Sequence, residues 1–180
     1  MLFVLSLIVW GTCRTAVVGR LMRMRRRVFW EKSRKALARA ARTGRYSAVL
    51  MIDLNGSDPA GAVAEMLRRA VTSPGRPARL GAARFAMVLP GLGSPEQAYE
   101  VAGRFAASVA PVIVNGRLVT IAASIGVAVS GPGELTHGEL VHRAVVAMRK
   151  AGEFAPETRW AAWRESYEKE QRPARLAEAA

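Results

Sequence analysis

The sequence has few of the residues that build disulfides or thiolate and imidazole metal sites. It contains one cysteine, Cys13, and two histidines in 180 residues. A single cysteine excludes an intramolecular disulfide, so the chain is compatible with a reducing compartment. His137 and His142 are five positions apart, which suits one helical face poorly. We expect both at the surface or at a helix cap, and we predict no metal site from cysteine and histidine.

Acidic residues are also scarce, but only in one region. The chain has 27 basic and 14 acidic residues, a net charge of +13. Residues 14–45 hold 12 of the basic residues and a single acid, Glu31, whereas the rest of the chain is nearly neutral. Such a stretch could bind nucleic acid, with a steep dependence on salt. Because an apolar segment directly precedes it, lipid is the favoured anion and no nucleic-acid partner is expected.

The first 13 residues, MLFVLSLIVWGTC, carry no charged side chain. As a helix they would span about 20 Å, less than the roughly 30 Å of a bilayer core. Extension to residue 19 includes Arg14, which can snorkel to the headgroups. We predict a membrane anchor over residues 1–19, with a buried or interfacial helix as the alternative. No basic region precedes the apolar run, which disfavours a cleaved signal peptide.

Four arginines after the apolar run predict topology and a membrane surface: Arg23, Arg25, Arg26 and Arg27. Basic residues remain on the cytoplasmic side, so we expect an inner-membrane protein with its N-terminus outside and its domain in the cytoplasm. Each arginine near the surface would also attract anionic lipid by about 1 kcal/mol. The simpler interpretation is that they set topology alone.

The remaining chain alternates helical and strand-like segments. The patterns predict helices over residues 28–43, 60–72, 95–109 and 136–151, and strands over 47–54, 78–80, 85–90, 111–114 and 117–129. Gly44 is a predicted helix C-cap, Asn115-Gly116 a hairpin turn, and Thr136 with Glu139 a capping box. This order predicts an α+β domain with a central, mostly antiparallel sheet flanked by helices.

Three aromatic residues near the C-terminus, Trp160, Trp163 and Tyr167, are spaced as on one helical face. We predict an amphipathic helix that packs back on the domain or forms an interface with a protein partner or a second copy. The predicted organisation is an anchor over residues 1–19, a basic juxtamembrane segment and first helix over 20–45, a domain over 46–153, and a C-terminal helix and tail over 154–180.

Four segments, in order, resemble the GGDEF family of diguanylate cyclases over roughly residues 25–152. They are the basic opening RRVF at residues 26–29, the first strand VLMIDLN at 49–55, the hairpin ARLGAARFAMVLP at 78–90, and the late strand ASIGVA at 123–128. The resemblance implies the family's fold. Its cyclases join two GTP molecules into cyclic di-GMP.

In these cyclases, metal ions lie between the nucleotide phosphates and two carboxylates, one after the first strand and one in the signature loop. Asp53 matches the first carboxylate. The signature reads Gly81-Ala82-Ala83-Arg84-Phe85, with Arg84 at the second metal-binding carboxylate. Mg²⁺ requires hard oxygen ligands. The resemblance therefore implies a vestigial site without catalytic residues, metal or cofactor.

The segments that would recognise the base and the product also depart from the family. The loop after the first strand is short, and Gly61-Ala62 stands where the family has glycine and aspartate. The product-inhibition motif is missing at residues 72–75. Arg79 is retained and could be structural, and whether Lys150 replaces the family's phosphate-binding lysine stays open. Nucleotide binding is therefore not expected.

Four functions follow from these patterns. The favoured one is a membrane-tethered, catalytically inactive GGDEF-like domain that regulates or scaffolds through protein contacts. The alternatives are a non-catalytic sensor of GTP or cyclic di-GMP, a residual cyclase, and a nucleic-acid binder. Arg84 would meet a phosphate directly in the sensor, or pair with Asp53 in the scaffold. We favour the pair.

Overall fold

The computed structural model describes residues 26–54, 78–81, 83–109, 111–114, 116–153 and 157–167. Within these ranges no helix has the length and apolar character needed to cross a bilayer. The predicted anchor over residues 1–19, Arg23 and Arg25 lie outside them. So do the predicted helix over residues 60–72 and the segments compared with the family's base-binding and product-binding motifs.

Helix α1 covers residues 26–42 and leads directly into the central strand β1, Tyr46–Leu54. Gly44, with φ +64°, reverses the chain between them, which confirms the predicted C-cap. No charged residue precedes Asp53 in the strand, and most of its side chains are buried. A continuous apolar run of this length is typical of a strand covered on both faces.

A mixed sheet forms the centre of the described domain, in the order β2-β3-β1-β6-β7. Strand β1 pairs antiparallel with β3 and with β6, β2 pairs antiparallel with β3, and β6 pairs parallel with β7. The other bounds are β2 Ala78–Arg79, β3 Arg84–Leu92, β6 Ala123–Ser130 and β7 Arg159–Ala162. The predicted α+β fold and its mostly antiparallel sheet are confirmed.

The predicted C-terminal helix is wrong for residues 159–162, which form the edge strand β7. The segment is rich in alanine and charge, and its local preference is helical. Hydrogen bonding to β6 overrides that preference, because the exposed edge of a sheet gives an adjacent segment a complete ladder of partners. A short helical turn follows only at residues 165–167.

The predicted strand over residues 117–129 is two strands. Strand β5, Arg117–Val119, pairs with β4, Val112–Val114, in a separate two-stranded sheet, and β6 begins only at Ala123. Gly116 has φ +75°, the left-handed conformation that the predicted turn requires. The hairpin was therefore predicted at the correct place, but both of its strands, β4 and β5, lie outside the central sheet.

Two further helices cover the sheet, one on each face. Helix α2, Glu96–Ser108, packs through Phe105 and its neighbours against the face formed by Leu50 and Ile52. Helix α3, His137–Gly152, packs with α1 against the opposite face. The capping box of Thr136 and Glu139 that opens α3 is present with both of its hydrogen bonds, as predicted.

Gly126 explains why α3 lies so close to the sheet. A Cβ atom at this position would stand 2.1 Å from both the carbonyl oxygen of Ala144 and the backbone nitrogen of Met148. Only a residue without a side chain allows the helix backbone to contact β6 there. The glycine of the late strand is thus required by packing.

Candidate functional site

The end of strand β1 and the hairpin between β2 and β3 form the candidate site. Asp53 lies opposite Arg84 in the antiparallel register of β1 and β3. Three backbone hydrogen bonds fix the hairpin loop: Leu54 N–H donates to Ala83 O at 3.0 Å, and the N–H groups of Leu80 and Gly81 donate to Arg84 O at 2.8 and 3.2 Å. The two charged side chains therefore start from a fixed backbone.

Arg84 and Asp53 form an ion pair, as the sequence analysis favoured. Nη2 of Arg84 lies 2.5 Å from Oδ2 of Asp53, and Nε donates to the same oxygen at 3.2 Å. The side chain of Arg84 is 50% exposed and that of Asp53 is 31% exposed. The guanidinium thus binds one oxygen of the carboxylate in a partly solvated position.

Phe85 of the signature and the nearby Arg79 make contacts that support the fold. Phe85 is buried, 1% exposed, on the face that packs against α2. Arg79 lies over its ring, with the guanidinium carbon 5.7 Å from the centroid, and donates through Nε to Gly81 O at 3.0 Å. These contacts support a structural role for Arg79. Ala82 lies outside the described residues.

Two more polar residues, Ser124 and Arg159, lie in register with Asp53 and Arg84 across the sheet. Asp53 pairs in register with Ser124 on β6, and Ser124 pairs with Arg159 on β7. Neighbours in register project to the same face of a sheet, so an arginine stands at each end of this row. Arg159 donates to Glu157 at 2.5 Å. Arg159 was not predicted as a site residue because its segment was assigned to a helix, and its register with Ser124 depends on a tertiary contact that the local sequence does not show.

Lys150, the candidate replacement for the family's phosphate-binding lysine, lies near the end of α3. Its Nζ is 2.9 Å from an oxygen of Glu153 and 5.8 Å from the centroid of Tyr167. An acidic partner reduces the positive charge that a phosphate would meet. The described contacts therefore support a structural role for Lys150.

The residues at this site do not fit a magnesium ion. Mg²⁺ takes six oxygen ligands in a near-ideal octahedron and relies on carboxylates to neutralise its charge. Here one carboxylate, Asp53, faces a guanidinium, and no group of three histidine, cysteine or acidic residues occurs in the described part of the chain. No metal-assisted step is therefore derived from this arrangement.

Two of the three aromatic residues predicted as one interface, Trp160 and Trp163, lie on opposite faces of the sheet. Trp160 is 39% exposed and stacks on Tyr99 of α2, with ring centroids 6.0 Å apart. Trp163 packs on the opposite side of the sheet, where Arg143 of α3 lies 3.9 Å above its ring. The alternation of an extended strand separates the two rings. The prediction of a common helical face is wrong.

Comparison with known families decides the relationship. The sequence model described as "Diguanylate cyclase, GGDEF domain" matches residues 61–155, more than half of the chain. The chain belongs to the GGDEF family. The predicted resemblance is confirmed, and the fold described above is that of a diguanylate cyclase-like domain. A comparison with curated protein sequences gives no match.

Solved GGDEF domains have the same architecture. An N-terminally truncated GGDEF domain of PA1120 (TpbB or YfiN) from Pseudomonas aeruginosa is 26% identical, with a TM-score of 0.72 over 82% of this chain and 94% of that chain. A sensory box/GGDEF family protein from Caulobacter crescentus is 29% identical, with a TM-score of 0.58 over 68% and 91%.

The active GGEEF domain of a diguanylate cyclase from Vibrio cholerae is 22% identical, with a TM-score of 0.64 over 77% of this chain and 96% of that chain. At this identity the likeness concerns the fold alone. A shared fold does not by itself decide activity, which depends on the residues of the site.

Proposed function

We propose that this GGDEF-like domain is catalytically inactive and acts as a regulatory or scaffolding protein through protein contacts at a membrane. The observation that carries the proposal is the ion pair of Arg84 with Asp53. Phosphoryl transfer in such enzymes depends on metal ions that bridge phosphates and protein carboxylates. A guanidinium in this place both repels a divalent cation and satisfies the carboxylate that remains.

Arg84 cannot replace the metal in the reaction. A guanidinium can donate hydrogen bonds to a phosphate, but it cannot coordinate an attacking oxygen and lower its pKa as a bound metal does. It is also bound to Asp53, with two of its donors directed at one oxygen. A nucleotide phosphate that reached the remaining donors would also meet the negative charge of Asp53 beside them.

The membrane tether and the partner are further parts of the proposal. Arg26 and Arg27 are exposed on the first described turn of α1, which is where a juxtamembrane basic segment would meet anionic lipid. The proposed location is the inner membrane, with the domain in the cytoplasm. The partner is either another protein or a second copy of this chain, without nucleic acid.

Two measurements on the full-length chain test the proposed inactivity. The first is formation of cyclic di-GMP from GTP with Mg²⁺ or Mn²⁺, where we expect no product above a protein-free blank. The second is calorimetric titration with GTP and with cyclic di-GMP, each with and without Mg²⁺, where we expect no saturable binding. Product formation by the unmodified chain would refute the proposal.

The Arg84→Glu variant tests why the site is inactive. It places two carboxylates in register on β1 and β3, so we expect Mg²⁺ affinity to appear. Arg104→Glu, an exposed arginine on α2, makes the same charge change elsewhere and should bind no Mg²⁺. Equal affinity in both variants would mean that Arg84 does not block a metal site.

A sensor is the second candidate, and Arg84 also distinguishes it. Binding of GTP or cyclic di-GMP to the unmodified chain without Mg²⁺ would replace the scaffold with a sensor. In that case Arg84→Gln should weaken binding, because the phosphate contact would be lost, whereas Arg104→Gln should leave it unchanged.

A further inference from the structure

A cavity lies at the other end of the sheet face that carries Asp53. It has a volume of about 220 Å³ and is enclosed by α1, the start of β1, the loop after β6 and the N-terminus of α3. Its polar side chains are those of Arg34, Arg45, Ser47, Ser130, Thr136 and His137. Ser47 and Asp53 are six residues apart on β1, about 20 Å at strand spacing, so this cavity is separate from the hairpin site.

Ser47 provides the observation that points to a ligand. Ser47 is 6% exposed, and its Oγ has no hydrogen-bond partner among the described residues. By contrast, Ser130 on the same cavity wall donates to Gly131 O at 2.8 Å and accepts from Leu135 N–H at 3.1 Å. A buried hydroxyl without a partner is costly. Its place in the wall of a cavity that two arginines also line indicates a bonding group that enters from outside.

The charge around the cavity selects an anion. Arg34 and Arg45 line it, and none of its lining residues is acidic. The two nearest acids along the chain are engaged with backbone: Glu134 accepts from Gly131 N–H at 2.8 Å, and Glu139 accepts from Thr136 N–H at 2.9 Å. The cavity therefore retains two positive charges without a lining carboxylate.

Arg45 is held in place for this role. Its Nε and Nη2 both donate to Gly91 O, at 3.1 and 2.8 Å. These bonds fix the guanidinium plane and leave the Nη1 donors for another acceptor. A guanidinium that is already ordered loses less entropy when an oxyanion binds.

The N-terminus of α3 adds a favourable field. Thr136 and His137 begin a helix of 16 residues at the cavity wall, and a helix N-terminus attracts negative charge. The Nε2 atom of His137 is also buried without a partner, and its ring meets the edge of Trp30 with centroids 5.4 Å apart. Two buried polar atoms and two arginines thus surround one space.

We propose that this cavity binds a small oxyanion, a phosphate group, through Arg34, Arg45 and Ser47. A neighbouring cavity of about 520 Å³ shares Arg34 and His137 and extends to Arg27, Trp30 and Glu31; the carboxylate of Glu31 pairs with Lys35 at 3.2 Å. It leaves room for the remainder of a phosphate ester in the direction of the basic start of α1. The same phosphate chemistry has two sources, a soluble phosphate compound or the headgroup of an anionic lipid.

Calorimetric titration of the full-length chain with inorganic phosphate, in a non-ionic detergent, tests the site. We expect saturable binding that weakens about tenfold or more in Arg34→Gln and in Ser47→Ala, since each change removes a hydrogen bond to a charged ligand. Arg42→Gln is the matched control: it removes an equal charge from an exposed residue of the same helix that does not line the cavity. It should bind phosphate as the unmodified chain does.

No saturable binding, or an equal loss in Arg34→Gln and Arg42→Gln, would overturn the proposal. Thermal unfolding of each variant checks that it is folded. Flotation with vesicles of phosphatidylglycerol and phosphatidylcholine then distinguishes the sources once phosphate binding is seen. Vesicle binding that Arg34→Gln weakens more than Arg42→Gln, and that free phosphate competes away, assigns a lipid phosphate; equal vesicle binding by both variants assigns a soluble phosphate compound.

Discussion

The ion pair of Arg84 and Asp53 should be measurable as a coupling free energy. The perturbations are Asp53→Asn, Arg84→Gln and the double variant, which remove charge while nearly preserving shape. Exposed ion pairs contribute about 0–1 kcal/mol. This pair has two donors on one oxygen, and charge-assisted bonds of this kind are stronger than neutral ones. With Asp53 31% exposed, we expect a coupling of about 1 kcal/mol.

The chain contains a matched control for this measurement. Lys35 and Glu31 form an ion pair on α1 at 3.2 Å, with side chains 74% and 52% exposed. Exposed helix pairs at this spacing contribute about 0.3–0.5 kcal/mol. A cycle with Lys35→Gln and Glu31→Gln should therefore give less than half the coupling of the strand pair.

Urea unfolding at low and high salt provides the assay. The screening length is about 10 Å at 0.1 M salt and about 3 Å at 1 M. We expect both couplings to fall with salt, and that of the more exposed helix pair to fall further. A coupling for Arg84 and Asp53 that does not exceed the helix pair would refute the reasoning, because the guanidinium would then not be held against the carboxylate.

Three further predictions concern packing and titration on the face covered by α3. Gly126→Ala should lower the free energy of unfolding by about 3 kcal/mol, since its Cβ would strike the Met148 backbone. Gly138→Ala, at a position with open space, should stabilise α3 by about 0.5–1 kcal/mol. Equal effects of the two variants in urea unfolding would contradict the packing argument. Ser47→Ala in phosphate-free buffer should raise the free energy of unfolding by about 1 kcal/mol, because it removes a buried hydroxyl without a partner; a comparable loss would show that the hydroxyl is bonded. Burial, then the charge of a nearby arginine, lowers the pKa of His137, so the unfolded chain binds this proton at a higher pH than the folded chain does. Stability should therefore be constant above about pH 7 and decline as the pH falls through the unfolded value near 6.5 toward the folded pKa. His137→Gln should flatten the urea midpoints measured between pH 5 and 8, and an unchanged slope would count against this prediction.

Local signals in the sequence predicted most of the described fold. Strand β1 was recognisable as a continuous apolar run that ends at Asp53. The start of α3 was recognisable because a capping box involves only Thr136 and Glu139, three residues apart. Such features depend on neighbours in the chain, and tertiary contacts rarely change them.

The errors occurred where tertiary contacts decide the structure. The segment that contains Trp160 has helical composition, and only the free edge of β6 makes it a strand. The break after Val119 separates β5 from β6 although both are apolar. No local pattern distinguishes these outcomes, because the competing conformations differ in their distant partners.

The two candidate sites differ in the same way. The pairing of Asp53 with Arg84 could be predicted because the family resemblance places both residues at one metal position. The cavity around Ser47 could not be predicted, because it joins α1 and β1 to the start of α3, which lies roughly 90 positions later in the sequence. A serine that begins an apolar strand looks unremarkable until its missing hydrogen bond is seen in three dimensions.

Phe85 and Arg84 are neighbours on β3 whose side chains contribute differently to the stability of the fold. Phe85 is fully buried beneath α2, so replacing it would open a cavity and cost several kcal/mol. Arg84 precedes it on the same strand but projects to the opposite, half-exposed side, where a change of charge costs the fold about 1 kcal/mol or less. The contacts of Phe85 therefore support the fold, whereas the charge at Arg84 affects it little. Because the fold alone does not supply a function, the Arg84→Glu measurement tests the proposed inactivity where the stability of the domain is least affected.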